Sequence, residues 1–232
     1  MPAKRVVLIS GANRGIGAET ARLLNSQGWC VSLGMRKPIQ PDWADSASAA
    51  VFPYDADDPE GEKAWVEASI AAFGRVDAII ANAGIMIPKT VIEADEDDFD
   101  RTMTVNVKAP RRLAKAAWEQ LTASGRGRVI ILGSLSGKRV KSANAGLYSM
   151  SKFAAVALAH GIRHAGWDFG IRATAVCPGF VATDMARGIT SRADDQMTDP
   201  RDLARIIAML LDLPNEASVA EFTINCQLEE SY

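Results

Sequence analysis

Residues 5–24 read "RVVLISGANRGIGAETARLL": a β-branched run ending at Ser10, a turn carrying Gly11, Gly15 and Gly17, and then a helical stretch. Glycines in such a turn permit a tight backbone path and let N–H groups and a helix N-terminus come close to a pyrophosphate. The spacing here is G-x-x-x-G-x-G rather than G-x-G-x-x-G. By itself it fits a bare glycine turn as well as a phosphate cradle, and the rest of the chain decides between them.

Working outward, six further short apolar runs follow: "CVSL" (30–33), "AVF" (50–52), "VDAIIA" (76–81), "RVIILG" (128–133), "IRATAV" (171–176) and "EFTIN" (221–225). Runs apolar on both faces, separated by segments long enough for crossover helices, call for a buried, mostly parallel sheet. The expectation is an α/β fold, a single doubly wound domain over 1–232 with seven strands and helices on both faces. No repeat or linker divides the chain. The stretches 36–48 and 183–200 are the longest irregular ones, and the second is the candidate substrate segment.

Composition narrows function by exclusion. The 232 residues are 48% hydrophobic and 23% charged, enough apolar material for one sizeable core. A formal net charge of −2 gives no electrostatic reason to expect nucleic acid or an anionic membrane as partner. Cys30, Cys177 and Cys226 form no C-x-x-C pair, so they read as free thiols. No apolar run approaches the roughly 18 residues of a bilayer span, and a cytoplasmic protein is expected. His160 and His164 lie at i, i+4, but no third ligand stands out and no metal site is expected.

Several motifs occur in order: Gly11-Ala12-Asn13-Arg14-Gly15-Ile16-Gly17 after the first strand, Asn82-Ala83-Gly84 after the fourth, and Asn106 in "TVNV". Ser134 follows the fifth strand, then come Tyr148-x-x-x-Lys152 and, after the sixth strand, Pro178-Gly179. With these the chain resembles a short-chain dehydrogenase/reductase over about residues 5–225. The resemblance implies a Rossmann-type fold and hydride transfer between a nicotinamide and a carbonyl or secondary alcohol.

Tyr148 and Lys152 share one helical face, roughly 5–6 Å apart at Cβ. A tyrosine with an ordinary pKa of about 10 needs help of about 3 units to exchange protons at neutral pH. A cation about 4.5 Å away supplies roughly 3–4 kcal/mol of it at an effective dielectric of about 20. The resemblance gives Tyr148 the proton exchange with the substrate oxygen, and Lys152 the tuning of the phenol and a bond to the nicotinamide ribose. It gives Ser134 the orientation of the substrate oxygen. Fourteen positions separate Ser134 from Tyr148, one more than is commonest, so Ser136 is an alternative. Asn106 either bonds its own backbone within a helix or, by resemblance, maintains a water and proton path to the lysine.

The remaining cofactor contacts also follow from the resemblance. Asn13, Arg14 and Ile16 belong to the glycine turn. Asp55 and Ala56, after the third strand, lie near adenine, and Asn82, Ala83 and Gly84 line the adenine-ribose side. Pro178 and Gly179 lie along the nicotinamide, with Val181 and Thr183 meeting its carboxamide. The second strand ends "SLGMRKP". Met35 stands about where an acid would bond the ribose 2′-hydroxyl of NAD. Arg36 and Lys37 follow it, with Arg14 able to approach, which suits a 2′-phosphate. NADP is therefore expected over NAD.

Lys138, Arg139 and Lys141 form either a solvated rim or a field favouring an acidic substrate. Alanines on 104–121 and 151–167, Ala155 among them, suggest close helix–helix approach. By resemblance these helices build the interface of a homodimer or homotetramer. The rival from another class is a catalytically idle cofactor-binding module, which would have no need of Asn106, Ser134, Tyr148 and Lys152 together. The ending "INCQLEESY" departs from the glycine pair common in the family and puts the substrate in doubt.

Overall fold

A computed structural model describes residues 4–228; the last four residues of the "INCQLEESY" ending lie outside them. Seven strands form one sheet: β1 (Val6–Ser10), β2 (Cys30–Met35), β3 (Ala49–Pro53), β4 (Ala78–Ala81), β5 (Arg128–Leu132), β6 (Arg172–Pro178) and β7 (Glu221–Ile224). Their order is β3-β2-β1-β4-β5-β6-β7, and every ladder is parallel. All seven expected strands are present, and the sheet is parallel throughout rather than mostly so. Chain order reverses between β1 and β4, and open sheets of this kind take ligands at the carboxyl ends beside such a switch point.

The helices are α1 (Gly15–Ser26), α2 (Gly61–Phe73), α3 (Glu96–Met103), α4 (Ala109–Ala116), α5 (Trp118–Ala123), α6 (Gly146–Gly166), α7 (Asp184–Arg187) and α8 (Pro200–Asp212). Strand residues alternate between two cores, as a period of 2 requires. Val6, Leu8, Ile79, Val129 and Ile131 pack with residues of α2, α4 and α6. Val7, Ile9, Ile80, Ile130 and Leu132 pack on the other face with α1 and α8.

The helical segment at 104–121 is preceded by α3, which begins in the acidic stretch "EADEDDFD" (93–100). Asp95 caps α3 by accepting from the Asp98 N–H at 2.9 Å, and the Asp98 carboxylate reaches back to the Asp95 N–H. The acidic "EADEDDFD" stretch therefore supplies a helix start, where negative charge also suits the dipole. A five-residue π-turn, Thr104–Lys108, then joins α3 to α4. Helix α6 begins at Gly146, which places Tyr148 and Lys152 in its first two turns.

Candidate active-site cleft

The glycine turn is built by its neighbours as much as by itself. Gly11 and Gly15 sit at φ +66° and +56°, the left-handed region where a side chain is costly. A Cβ on Gly17 would stand 2.4 Å from the Gly11 carbonyl oxygen, so only glycine lets α1 start this close to the turn. The Asn82 amide donates to the carbonyls of Ser10 and Gly11 at 3.0 and 3.2 Å. The Ser10 hydroxyl in return accepts from the backbone N–H groups of Asn82 and Ala83, both at 3.0 Å. Asn82 is thus a brace for the turn. Ser10, its partner, gave no signal in the sequence beyond a polar residue closing an apolar strand.

Above the carboxyl ends of the strands lies one continuous cleft of about 1730 Å³. That exceeds the roughly 300–1,000 Å³ of an ordinary small-ligand pocket and has room for a dinucleotide with a substrate. The cleft gathers Gly11, Asn13, Arg14, Gly15 and Ile16 of the turn, Arg36 and Lys37 after β2, and Asp55 with Ala56 after β3. It also takes in Asn82, Ala83 and Gly84 after β4, then Ser134, Ser136, Tyr148 and Lys152, and finally Pro178, Gly179, Val181 and Thr183.

Three expected residues stand elsewhere. Gly17 packs against the turn from below. Met35 is 2% exposed in the core with Val31 and Leu33, so β2 meets the cleft through Gly34, Arg36 and Lys37 and not through the methionine side chain. Asn106 lies under the cleft in the π-turn. Its amide oxygen accepts from the Ile85 N–H at 2.9 Å, and its amide nitrogen donates to the Ile85 carbonyl and the Ser151 hydroxyl, each at 2.9 Å. It therefore bonds across to the chain after β4 rather than to its own helix.

At the floor, Lys152 donates to the Leu132 carbonyl at 2.7 Å, and its ammonium nitrogen lies 5.6 Å from the Tyr148 ring centroid. Ser134 follows two residues after β5. Its hydroxyl accepts from the Ser136 N–H at 3.0 Å and lies near enough to the phenol to draw its pKa down. Of the two candidate serines, Ser134 is therefore the one beside Tyr148.

Burial pushes the phenol up to about 12, against the lowering influence of the nearby Ser134 hydroxyl and with a small upward push from Cys177. Burial likewise brings Lys152 down to about 8. The chain by itself thus departs from the expected lowering of the tyrosine. Both groups are desolvated, and for the phenol that outweighs the pull of Ser134. A phenol held protonated is a proton donor.

Sequence reasoning missed the polar groups on the far wall. Arg14 pairs with Asp184 at 2.8 Å, and Arg187 pairs with Asp184 and Asp194 at 2.9 and 2.7 Å. No pattern links these across 170 positions of chain. Among the described residues no cluster of three metal-ligating side chains occurs, and no helix is long and apolar enough to cross a membrane.

Fold and cleft together define an α/β protein with a large cleft at the switch point of a parallel sheet. A family model described as short chain dehydrogenase matches residues 5–194. The chain belongs to that family. An agropine synthesis reductase of Rhizobium rhizogenes is 37% identical over 229 residues, which is 97% of this chain and 53% of the relative. The chain spans about half the length of the two agropine synthesis reductases it matches. An uncharacterized oxidoreductase of Listeria monocytogenes is 30% identical, with 95% of each chain covered. The crystal structure of a short chain dehydrogenase from Burkholderia cenocepacia in complex with NADP is 29% identical, has a TM-score of 0.85 and covers 97% of each chain.

Proposed function

We propose that the protein is an NADP-dependent oxidoreductase that interconverts a ketone or aldehyde and the matching alcohol. The observation that carries this reading is the convergence of Ser134, Tyr148 and Lys152 at the floor of a cleft continuous with the braced glycine turn. The glycine turn opening α1 fits a pyrophosphate, and Arg36 and Lys37 after β2 fit a 2′-phosphate. The NADP carried by the Burkholderia relative supports the same choice. A bound nicotinamide supplies or takes up the hydride; orientation and proton handling fall to the chain. Ser134 orients the substrate oxygen, Tyr148 delivers or removes its proton, and Lys152, fixed by Leu132, holds the ribose and the local positive charge. Asn106, tied to Ile85 and Ser151, keeps the lysine's surroundings in place. Consumption of NADPH with one or more members of a carbonyl panel tests the reading, and binding without consumption defeats it.

Cofactor choice gives a quantitative expectation. Arg36→Ala removes a charge-assisted bond of about 1.5–3 kcal/mol only where there is a phosphate to bond. The Kd for NADPH is expected to rise at least about tenfold while that for NADH stays within about twofold. Equal weakening of both shows that Arg36 does not read the phosphate.

The site is expected to act within a homodimer or a tetramer of such dimers. Ala155, offered by the sequence as an interface residue, is fully buried in the chain's own core, so an arginine there reports on folding. The outward face of α6 instead carries Met150 and Phe153, 47% and 44% exposed, with Ala157 beside them. Ala157→Arg is expected to lower the mass measured by light scattering toward the monomer at micromolar concentration. Wild-type protein already monomeric there contradicts the assembly.

A further inference from the structure

Arg14 occupies the position before α1 with extended backbone, and its guanidinium reaches over the cleft to the far wall. Its Nη1 donates to Asp184 Oδ2 at 2.8 Å. Asp184 begins α7 and is already held on its other oxygen by Arg187, three residues on, at 2.9 Å. Arg187 in turn grips both carboxylate oxygens of Asp194, at 3.0 and 2.7 Å. The two walls also touch below the ion pair, where a Cβ on Gly15 would stand 3.0 Å from a methyl carbon of Thr183. The glycine turn and the start of the substrate segment are therefore strapped together by one ion pair across the cleft.

The two ends of this strap are unequal. If Arg14 leaves, Asp184 keeps Arg187 and its charge is not stranded. Among the described residues Arg14 has no second ion-pair partner to hold it back. Its side chain is 63% exposed, so the pair is screened and cheap to break. The same cleft contains Arg36 and Lys37, and a phosphate among these cations offers a guanidinium stronger, bidentate bonds.

We propose that Asp184 is a determinant of cofactor selectivity: it sequesters Arg14, and NADP must take the arginine from it, whereas NAD need not. The inference rests on the reading of the cleft as an NADP site. Binding of NADP then unstraps α7 from the glycine turn, which couples occupancy of the cofactor end to freedom of the substrate segment. No chemistry is required for this, only an exchange of partners by one side chain.

Direct titration of NADPH and NADH into the protein, followed by nicotinamide fluorescence, tests it without any substrate. Asp184→Asn removes the competing charge and is expected to tighten NADPH about three- to fivefold, the loss of one exposed ion pair, while NADH stays within twofold. In an Arg14→Ala background the same substitution is expected to do nothing. Unchanged or weaker NADPH binding by Asp184→Asn overturns the proposal. So does an effect that persists without Arg14, which would be plain repulsion between Asp184 and the phosphate. Wild-type binding that does not favour NADPH defeats the cofactor reading separately, and the Asp184→Asn comparison still decides the strap.

Discussion

Tyr148→Phe is expected to lower turnover on the best carbonyl substrate by at least the roughly 10²-fold typical of a lost proton donor, with NADPH affinity nearly unchanged. The substitution takes away one oxygen from a side chain that burial holds in its protonated form. The ring keeps its packing, and Ser134 keeps the Ser136 N–H, so no polar group is stranded. The glycine turn, where the dinucleotide's phosphates are expected, rests on Asn82 and Ser10 and is remote from the change. A loss confined to kcat is therefore the signature of a group acting on the substrate oxygen. Turnover within about threefold of wild type would remove Tyr148 from the mechanism.

Stability provides the second large effect. Glu62 of α2 is 1% exposed and lies against Arg112 of α4, whose Nε and Nη2 donate to it at 2.6 and 3.0 Å. The Tyr54 hydroxyl donates to the same carboxylate at 2.9 Å, and burial, with this carboxylate adding to it, drives the phenol's pKa far upward. Arg112 Nη2 also holds the Ala56 carbonyl at 2.8 Å, at the edge of the cleft. Arg112→Ala leaves a buried carboxylate without its cation, a loss of about 3–5 kcal/mol. For a chain of this size that lowers Tm by roughly 6–20 °C. Calorimetry of the variant checks it; a Tm within about 2 °C of wild type would mean that Glu62 is neutralised by other means.

The sheet was legible because its strands are apolar on both faces, and the floor of the cleft because Tyr148 and Lys152 stand one helical turn apart. Two misplacements were avoidable by the same periodicities. Along β2, Val31, Leu33 and Met35 share one face, so an inward Val31 already implies an inward Met35. Along α6, Lys152, Ala155, Val156 and Ala159 form an i, i+3, i+4, i+7 stripe, so a buried Lys152 implies a buried Ala155. Other features had no local signal. Asn106 is held by Ile85 and Ser151, which lie 21 and 45 positions away in the chain. The Arg14–Asp184 strap and the Arg112–Glu62 pair join residues far apart in sequence, and only the folded sheet brings them together.

Hydride is proposed to pass between the nicotinamide and a carbonyl carbon over Ser134, Tyr148 and Lys152. NADPH carrying deuterium at both positions of nicotinamide C4, incubated with wild-type protein and the best carbonyl compound of a panel, reports this transfer by mass spectrometry of the alcohol. One deuterium is expected on the former carbonyl carbon with wild type, and almost none in the same time with Tyr148→Phe. Alcohol formed without deuterium, or NADPH bound by the protein while no carbonyl compound is reduced, would contradict it.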